Sequence, residues 1–426
     1  MHTAQPVLAQ WHCGKQQLGA GVTGSNGQRQ LAHIADLNVI SRTSSMRYKG
    51  TSKSMRQIGR ELNAGVVLEG SVRRAGDQVR IVAQLIDANT DKHLWAQTYD
   101  REYGQVLAVQ AEIARSIADA LEARLSPAEA RHLGTARTVD PQVHNLVLQG
   151  RYLTERRDST SVMKGMEVLR RAIALDSANA RAWAGLAAGY ARTAPLGGDE
   201  VGAFRSSREA AERAIALDDR CTDAYISLGF VLNAQWDWQG ADRAIKRALT
   251  LEPGNAVALG RAGLLSASLG RFDEAIAYGR RSCELDPVNP SSLHNLSSFC
   301  WYAGRLPEAK ACIRRALDLS PQMPGVNLAA GLLQLASGDL DSALIMIRLE
   351  PGDMWRIHGE AIVHHAAGRR AEADAALAKL VADYADYAAF QIAEVFAFRG
   401  EKERAFAWLD RAYRQRDGGL AQIVGD

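Results

Sequence analysis

Between residues 222 and 321 the apolar and polar positions recur at a fixed interval. Leu251-Glu252-Pro253 returns as Leu285-Asp286-Pro287 and again as Leu319-Ser320-Pro321, each step being 34 residues. Small residues keep the same register: Ala241, Ala275 and Ala309 share one position, and Ala248, Ser282 and Ala316 share another seven residues on. Tyr225, Leu228 and Gly229 open the first of these units. Such a period, with small side chains at set places, predicts two antiparallel helices per unit. A single hairpin cannot bury its apolar face, so neighbours must stack. Upstream, 141–176 predicts a first hairpin with Gly150 at a small-residue position. Ala180, Trp183, Leu186 and Ala187 open a second, which closes at Leu217-Asp218. The step from Leu175 to Leu217 is 42 residues, and the excess falls on APLGGDEV at 194–201, a predicted loop between helices. Downstream, Leu319 to Leu349 is a shorter step of 30, and Gly368, Ala373, Gly400, Ala405 and Ala412 mark two further units. The pattern predicts about eight hairpins over 141–416 and a frayed tail at 417–426.

The first third of the chain follows a different pattern. Residues 1–28 show no period and read as a disordered leader. Leu31, Ile34 and Leu37 suit a short helix ending near Asp36, and LNVISR at 37–42 reads as a buried strand. Ile58 and Leu62, four apart, predict a helix with Ser54 as its N-cap. GVVLEGSVRR and QVRIVAQLIDA are strand-like runs joined by Ala75-Gly76-Asp77, which is hairpin chemistry. KHLWAQTYDR is a third strand, and Val109, Ile113, Ile117 and Leu121 fall on one face of a helix over 105–125. The expected fold is a small α/β (α+β) domain over 29–126, a linker at 127–140 broken by Gly134, and an all-α array.

The aromatic, Leu-Gly, Ala, Ala and closing Pro of the 34-residue unit resemble the tetratricopeptide repeat. That resemblance implies a superhelix whose concave groove is lined by the first helix of each hairpin and holds a protein or peptide. The groove residues it picks out are Phe230, Asn233, Leu264, His294, Trp301, Tyr302, Trp355 and His358, with the packing of Phe230 and Trp301 against neighbouring helices as the competing explanation. A basic clamp for a C-terminal carboxylate would need Lys and Asn where this chain has Ile226, Phe230, Gly260, Leu264, His294 and Ser298, so chaperone-tail recognition is not expected. Tyr225, Leu228, Gly229, Ala241 and Ala248 are expected to serve packing instead.

LEGSVRR, RIVAQLID and LWAQTYDRE resemble the TolB N-terminal and FlgO-like α/β module. That module joins tetratricopeptide repeats to an effector domain in bacterial class III adenylate cyclase-like proteins and CadC-like winged-helix regulators. Fewer than 40 residues precede LNVISR here, so neither effector domain is expected in this chain, and the module is expected to lack its first strand. No catalytic residue carries over from the resemblance.

Composition narrows the function. With 47% hydrophobic and 23% charged residues and a net charge of +3, the chain is ordinary globular material without the strongly basic balance expected of a nucleic-acid binder. The basic segment 41–60, with Arg42, Arg47, Lys49, Lys53, Arg56 and Arg60, reads as a solvated or interdomain face. Five scattered cysteines without a CxxC pair predict reduced core thiols, and with no apolar run of membrane length the expectation is a cytoplasmic protein. Phosphate-loop, GxSxG and HExxH motifs are missing, so neither an enzyme nor a cofactor is expected. His2, His12 and Cys13 lack a second ligand pair, and His358, His364 and His365 lack the spacing of a zinc pair on one helix. The resulting expectation is a non-catalytic protein-interaction scaffold in bacterial signalling. The alternative is the regulatory half of a class III adenylate cyclase or of a winged-helix regulator.

Overall fold

The computed structural model describes residues 6–13 (as backbone), 31, 37–41, 44–45, 47–48, 51–75, 77–102, 105–123, 140–156, 159–193 and 200–422. The expected helix over 32–36, most of the leader at 14–28, the linker at 127–139, the insertion at 194–199 and the tail end at 423–426 lie outside them. The chain divides into two compact units. One comprises Met1–Leu232, Gln239–Leu259 and Glu284–Val288; the other comprises Asn233–Trp238, Gly260–Cys283 and Asn289–Asp426.

The first unit holds a five-stranded sheet of order β2-β1-β3-β4-β5. Its strands are β1 (Pro6–Cys13), β2 (Asn38–Val39), β3 (Val66–Ala75), β4 (Gln78–Asp87) and β5 (His93–Glu102). β1 runs parallel to both β2 and β3, whereas β3, β4 and β5 are antiparallel. This corrects the expectations of a leader through residue 28 and of a missing first strand: Pro6–Cys13 is an interior strand. In PVLAQWHC an alternation of apolar Ala9, Trp11 and Cys13 with polar Gln10 and His12 is short and broken at Leu8, and an interior parallel strand does not need one. The strand expected over 37–42 shrinks to Asn38–Val39.

Helix α1 (Met55–Leu62) starts in a reciprocal capping box, in which Ser54 Oγ accepts from the Gln57 amide at 3.3 Å and Gln57 Oε1 accepts from the Ser54 amide at 3.0 Å. It lays Ile58 and Leu62 on Val67 and Ala88 of one sheet face. Helix α2 (Val106–Ala120) covers the other face, packing Val109, Ile113 and Ile117 on Val79, Ile81, Leu85 and Tyr99.

Eight antiparallel hairpins follow among the described residues: α3 (Pro141–Thr154) with α4 (Ser159–Leu175), α5 (Ala180–Thr193) with α6 (Glu200–Leu217), α7 (Thr222–Ala234) with α8 (Trp238–Leu251), α9 (Ala256–Ser268) with α10 (Phe272–Leu285), α11 (Pro290–Tyr302) with α12 (Leu306–Leu319), α13 (Val326–Leu335) with α14 (Leu340–Arg348), α15 (Asp353–Ala366) with α16 (Arg370–Tyr384), and α17 (Ala389–Phe398) with α18 (Lys402–Gln415). The register of small residues is the register of burial. Ala241, Ala275, Ala309, Ala248 and Ala316 are each 0% exposed and Ser282 is 1% exposed. Where α3 crosses α4 the backbones nearly touch: a Cβ at Gly165 would stand 2.7 Å from the Gly150 carbonyl oxygen. Cys221, Cys283, Cys300 and Cys312 are buried thiols outside any disulfide, and burial, helped by the nearby Glu308 carboxylate, pushes Cys300 up to about 12.

The acid that ends most hairpins closes the helix ends around it. Asp176 Oδ1 accepts from the Ala178 amide at 3.1 Å, and Asp218 from the Arg220 amide at 3.1 Å. Buried Glu350 accepts from the amides of Gly325, Leu328 and Gly352. Asp417 accepts from those of Phe390 and Gly419. Such charge-assisted bonds are the strong ones. At the fourth hairpin the same position is used differently. Asp286, 1% exposed, accepts hydrogen bonds from the hydroxyls of Ser41 and Ser44, the latter at 2.6 Å. The Ser41 amide donates to the Leu285 carbonyl at 2.7 Å, and Arg47 donates to the Val288 carbonyl at 3.3 Å. Val288 itself packs on the cluster of Ile40, Tyr48, Ile58 and Leu62. The segment after β2 is therefore pinned to a hairpin end within the first unit.

Two serine–carboxylate bonds of this kind are each worth about 1.5–3 kcal/mol. Asp286→Ala is expected to raise amide exchange over residues 38–48 by at least about tenfold while helical circular dichroism is retained. Unchanged exchange there would show that the pin carries no stability.

Candidate protein-interaction face

Helix α11 is fixed at its start by Asn289, whose side chain accepts from the amides of Ser291 and Ser292, with Pro290 in the first turn. It buries Leu293, Leu296, Phe299 and Cys300. The opposite stripe, at the spacing of a helix face, is half-exposed: Ser291, His294, Ser298, Trp301 and Tyr302. Ser298 Oγ donates to the His294 carbonyl at 3.3 Å, and the Tyr302 ring lies 5.8 Å from that of Phe272. The stripe thus presents two aromatic rings, an imidazole and hydroxyls on a helix held rigidly from behind.

The eight residues picked out from sequence fall in several places. Leu264 and Trp301 come together, both half-buried against the cluster around Leu296 and Phe299. His294 and Tyr302 share the α11 stripe with Trp301. Trp355 sits instead against Leu328, Ala343 and Ile347. The side-chain oxygen of Asn233 is buried without a hydrogen-bond partner among the described residues. In the first unit Phe230 is half-buried, edge-on to Phe204 at 6.1 Å.

His358 corrects its expectation. Its side chain is 3% exposed, inside the packing of α15 against α17, with Nε2 3.4 Å from Glu394 Oε2. Burial depresses its imidazole to about 4, so it is neutral at pH 7 and unavailable to a partner. Helical phase placed it on the groove face, but a neighbouring first helix covers that part of the face.

Two features of the hairpins escaped the sequence reading. In the first unit Arg151 Nη2 stands 2.8 Å from Asp223 Oδ2, with side chains 18% and 19% exposed. The arginine passes helix α5 at Gly185, where a Cβ would come within 3.1 Å of its Cγ. In the second unit Gly270, Gly304, Gly338, Gly368 and Gly400 each take a positive φ, between 71° and 80°, in the turn between paired helices. There the next amide reaches back to close the first helix, as Arg305 does to the Cys300 carbonyl at 2.7 Å. One period of 34 before Gly270 the residue is Trp236, and it holds the same turn at φ 65°. Its ring stacks on Tyr413 at 5.3 Å and 17°, and the Arg416 guanidinium lies 4.8 Å from the Trp236 ring and 5.6 Å from that of Tyr413. Arg416 is itself left-handed, at φ 60°. The register could have flagged Trp236, because it stands where glycine belongs. Nothing in the sequence points to its partners.

A left-handed non-glycine residue costs about 1–2 kcal/mol, whereas stacking and a cation over the ring together return about 1–3 kcal/mol beyond the buried area. Trp236→Gly is therefore expected to loosen helix α18 despite relieving the strained turn. Amide exchange over 402–415 should quicken by at least about tenfold. Slower exchange there would mean that the strain outweighs the stack.

A family model described as tetratricopeptide repeat matches residues 234–290 and 301–349. A protein of Rhizobium meliloti (strain 1021), whose name of adenylate cyclase 3 is itself provisional, is 39% identical over 156 residues, or 37% of this chain. The chain spans 27% of that relative's length. Among solved structures, Pseudomonas aeruginosa PilF is similar with a TM-score of 0.41 and 20% identity, covering 52% of this chain and 98% of PilF. The tetratricopeptide protein TTC0263 of Thermus thermophilus gives 0.39 and 21% over 45% of this chain and 99% of its own. Human IFIT1, as a dimer with m7Gppp-AAAA, gives 0.48 and 13% over 72% of this chain and 77% of its own. The hairpins matched at 234–290 and 301–349 are tetratricopeptide repeats.

Proposed function

We propose that this chain is a non-catalytic scaffold in bacterial signalling, and that the half-exposed stripe of α11 docks a segment of a partner protein. The observation that carries the reading is the repeat match joined to that stripe, where Trp301, Tyr302 and His294 lie half-buried along one face of the helix. Aromatic side chains with a polar tip, held rigidly, are where binding energy concentrates in interfaces. Tetratricopeptide repeats supply such faces for protein partners. Without the Lys and Asn of a carboxylate clamp, the partner is engaged through its side chains and not through a chain end. Among the described residues, no three His, Cys, Asp or Glu side chains converge as a metal site requires, and no helix is long and apolar enough to cross a membrane.

A second reading is favoured by one observation, the 39% identity to the cyclase-named relative. In it, the α/β domain and the repeats regulate a class III cyclase domain, and the docked segment belongs to that domain.

Tyr302→Ala and Trp301→Ala in the full chain are expected to weaken capture of a partner from a bacterial lysate by at least about tenfold. Tyr387→Ala, at a 53% exposed site elsewhere, should leave it unchanged. Equal capture by all three folded variants would remove α11 as the docking face. Cyclic AMP formed from ATP and a divalent metal by the purified chain would contradict the non-catalytic assignment.

A further inference from the structure

Strand β5 is ten residues long, forms one edge of the sheet and, among the described residues, pairs only with β4. Seven of its residues are exposed, Leu94 at 48%, and only Tyr99 is buried. HLWAQTYDRE contains no proline, glycine or lysine; its charges sit at one end, in Asp100, Arg101 and Glu102, and the one irregularity in its ladder lies at the other, beside Leu85/Ile86. Every second residue turns its N–H and C=O to the open side, so a strand added there can complete the ladder.

We propose that β5 is the docking edge for the β5 strand of a second copy of this chain, with the two strands antiparallel across a twofold axis at Gln97. Antiparallel partners across such an axis must share parity, because only alternate residues face outward. With the axis at Gln97 the pairs are Ala96 with Thr98, Trp95 with Tyr99, Leu94 with Asp100, His93 with Arg101 and Lys92 with Glu102. This register sets Lys92 opposite Glu102 on each side of the axis, an opposite-charge pair of the kind that stabilises sheets. Lys92 is exposed and Glu102 is exposed, so both charges are available at the rim. Asp100 is already held by Arg80 at 2.7 Å and Arg101 lies 3.4 Å from Glu112, which leaves Lys92 and Glu102 to set the register. A continuous sheet through two copies joins them by about ten backbone hydrogen bonds. Such an edge gives a reversible dimer whose population rises with concentration.

The test is sedimentation equilibrium of the full chain at low salt over a wide concentration range. The unaltered chain should pass from monomer to dimer. Lys92→Glu and Glu102→Lys should each weaken the dimer by about tenfold, since each reverses two symmetric pairs, and the double variant should recover it. Circular dichroism confirms that the variants fold, since both sites are exposed. A chain that stays monomeric throughout, single variants that associate like the unaltered chain, or a double variant that fails to recover would each overturn the proposal.

Discussion

Close approach of helices at positions too small to hold more than a methyl group is the constraint on which the hairpins depend. Ala241, Ala275, Ala309, Ala343 and Ala373 show no exposed surface at all. At Gly331 and Gly359 even a methyl would crowd Ile347, at 2.7 and 2.4 Å. Interiors packed this tightly have no room for larger side chains. The pairing angle of each hairpin and the way α11 is held from behind both follow from that tolerance. The half-exposed face is rigid because the buried face is full.

Closure of the hairpin ends is the second layer. Helix ends leave amides and carbonyls without partners, and here carboxylates and left-handed glycines satisfy them. Where the acid at a hairpin end is buried, as at Glu252, Asp286, Glu350 and Asp417, it can also bind elsewhere. At Asp286 it binds two serines that follow β2. Arg47 reaches Val288, Lys53 pairs with Glu61 at 2.7 Å and Arg56 donates to the Asn89 carbonyl at 2.6 Å. These cations stay exposed while bonding within the chain. A hairpin-end carboxylate thus becomes one point where the α/β domain is attached, beside the packing of Leu148 on its core.

What could be read from sequence was whatever repeats or alternates. The period of 34, the Ser54 cap, the β3–β4 turn and the α2 face all rest on local spacing, which the fold preserves. What could not be read depends on distant neighbours. β1 alternates only over its last five residues, and it is β2 and β3 on either side that make it a strand. His358 has the phase of a groove residue and the burial of a core residue, since an adjoining helix decides its exposure. The three-way contact of Trp236, Tyr413 and Arg416 joins residues far apart in sequence, and only the missing glycine hinted at it. Of the candidate face, Trp301 and Tyr302 were legible by phase. The closing of that face around His358 was not.

The most direct measurement of the packing claim compares one substitution at two sites of helix α16. Ala373 is 0% exposed, whereas Ala375, two residues on, is exposed. Under urea, Ala373→Leu should lose at least about 1–3 kcal/mol while Ala375→Leu stays within about 0.5 kcal/mol of the unaltered chain. Equal stability of the two variants would contradict the account, because it would mean that the hairpins do not depend on small side chains at the register positions.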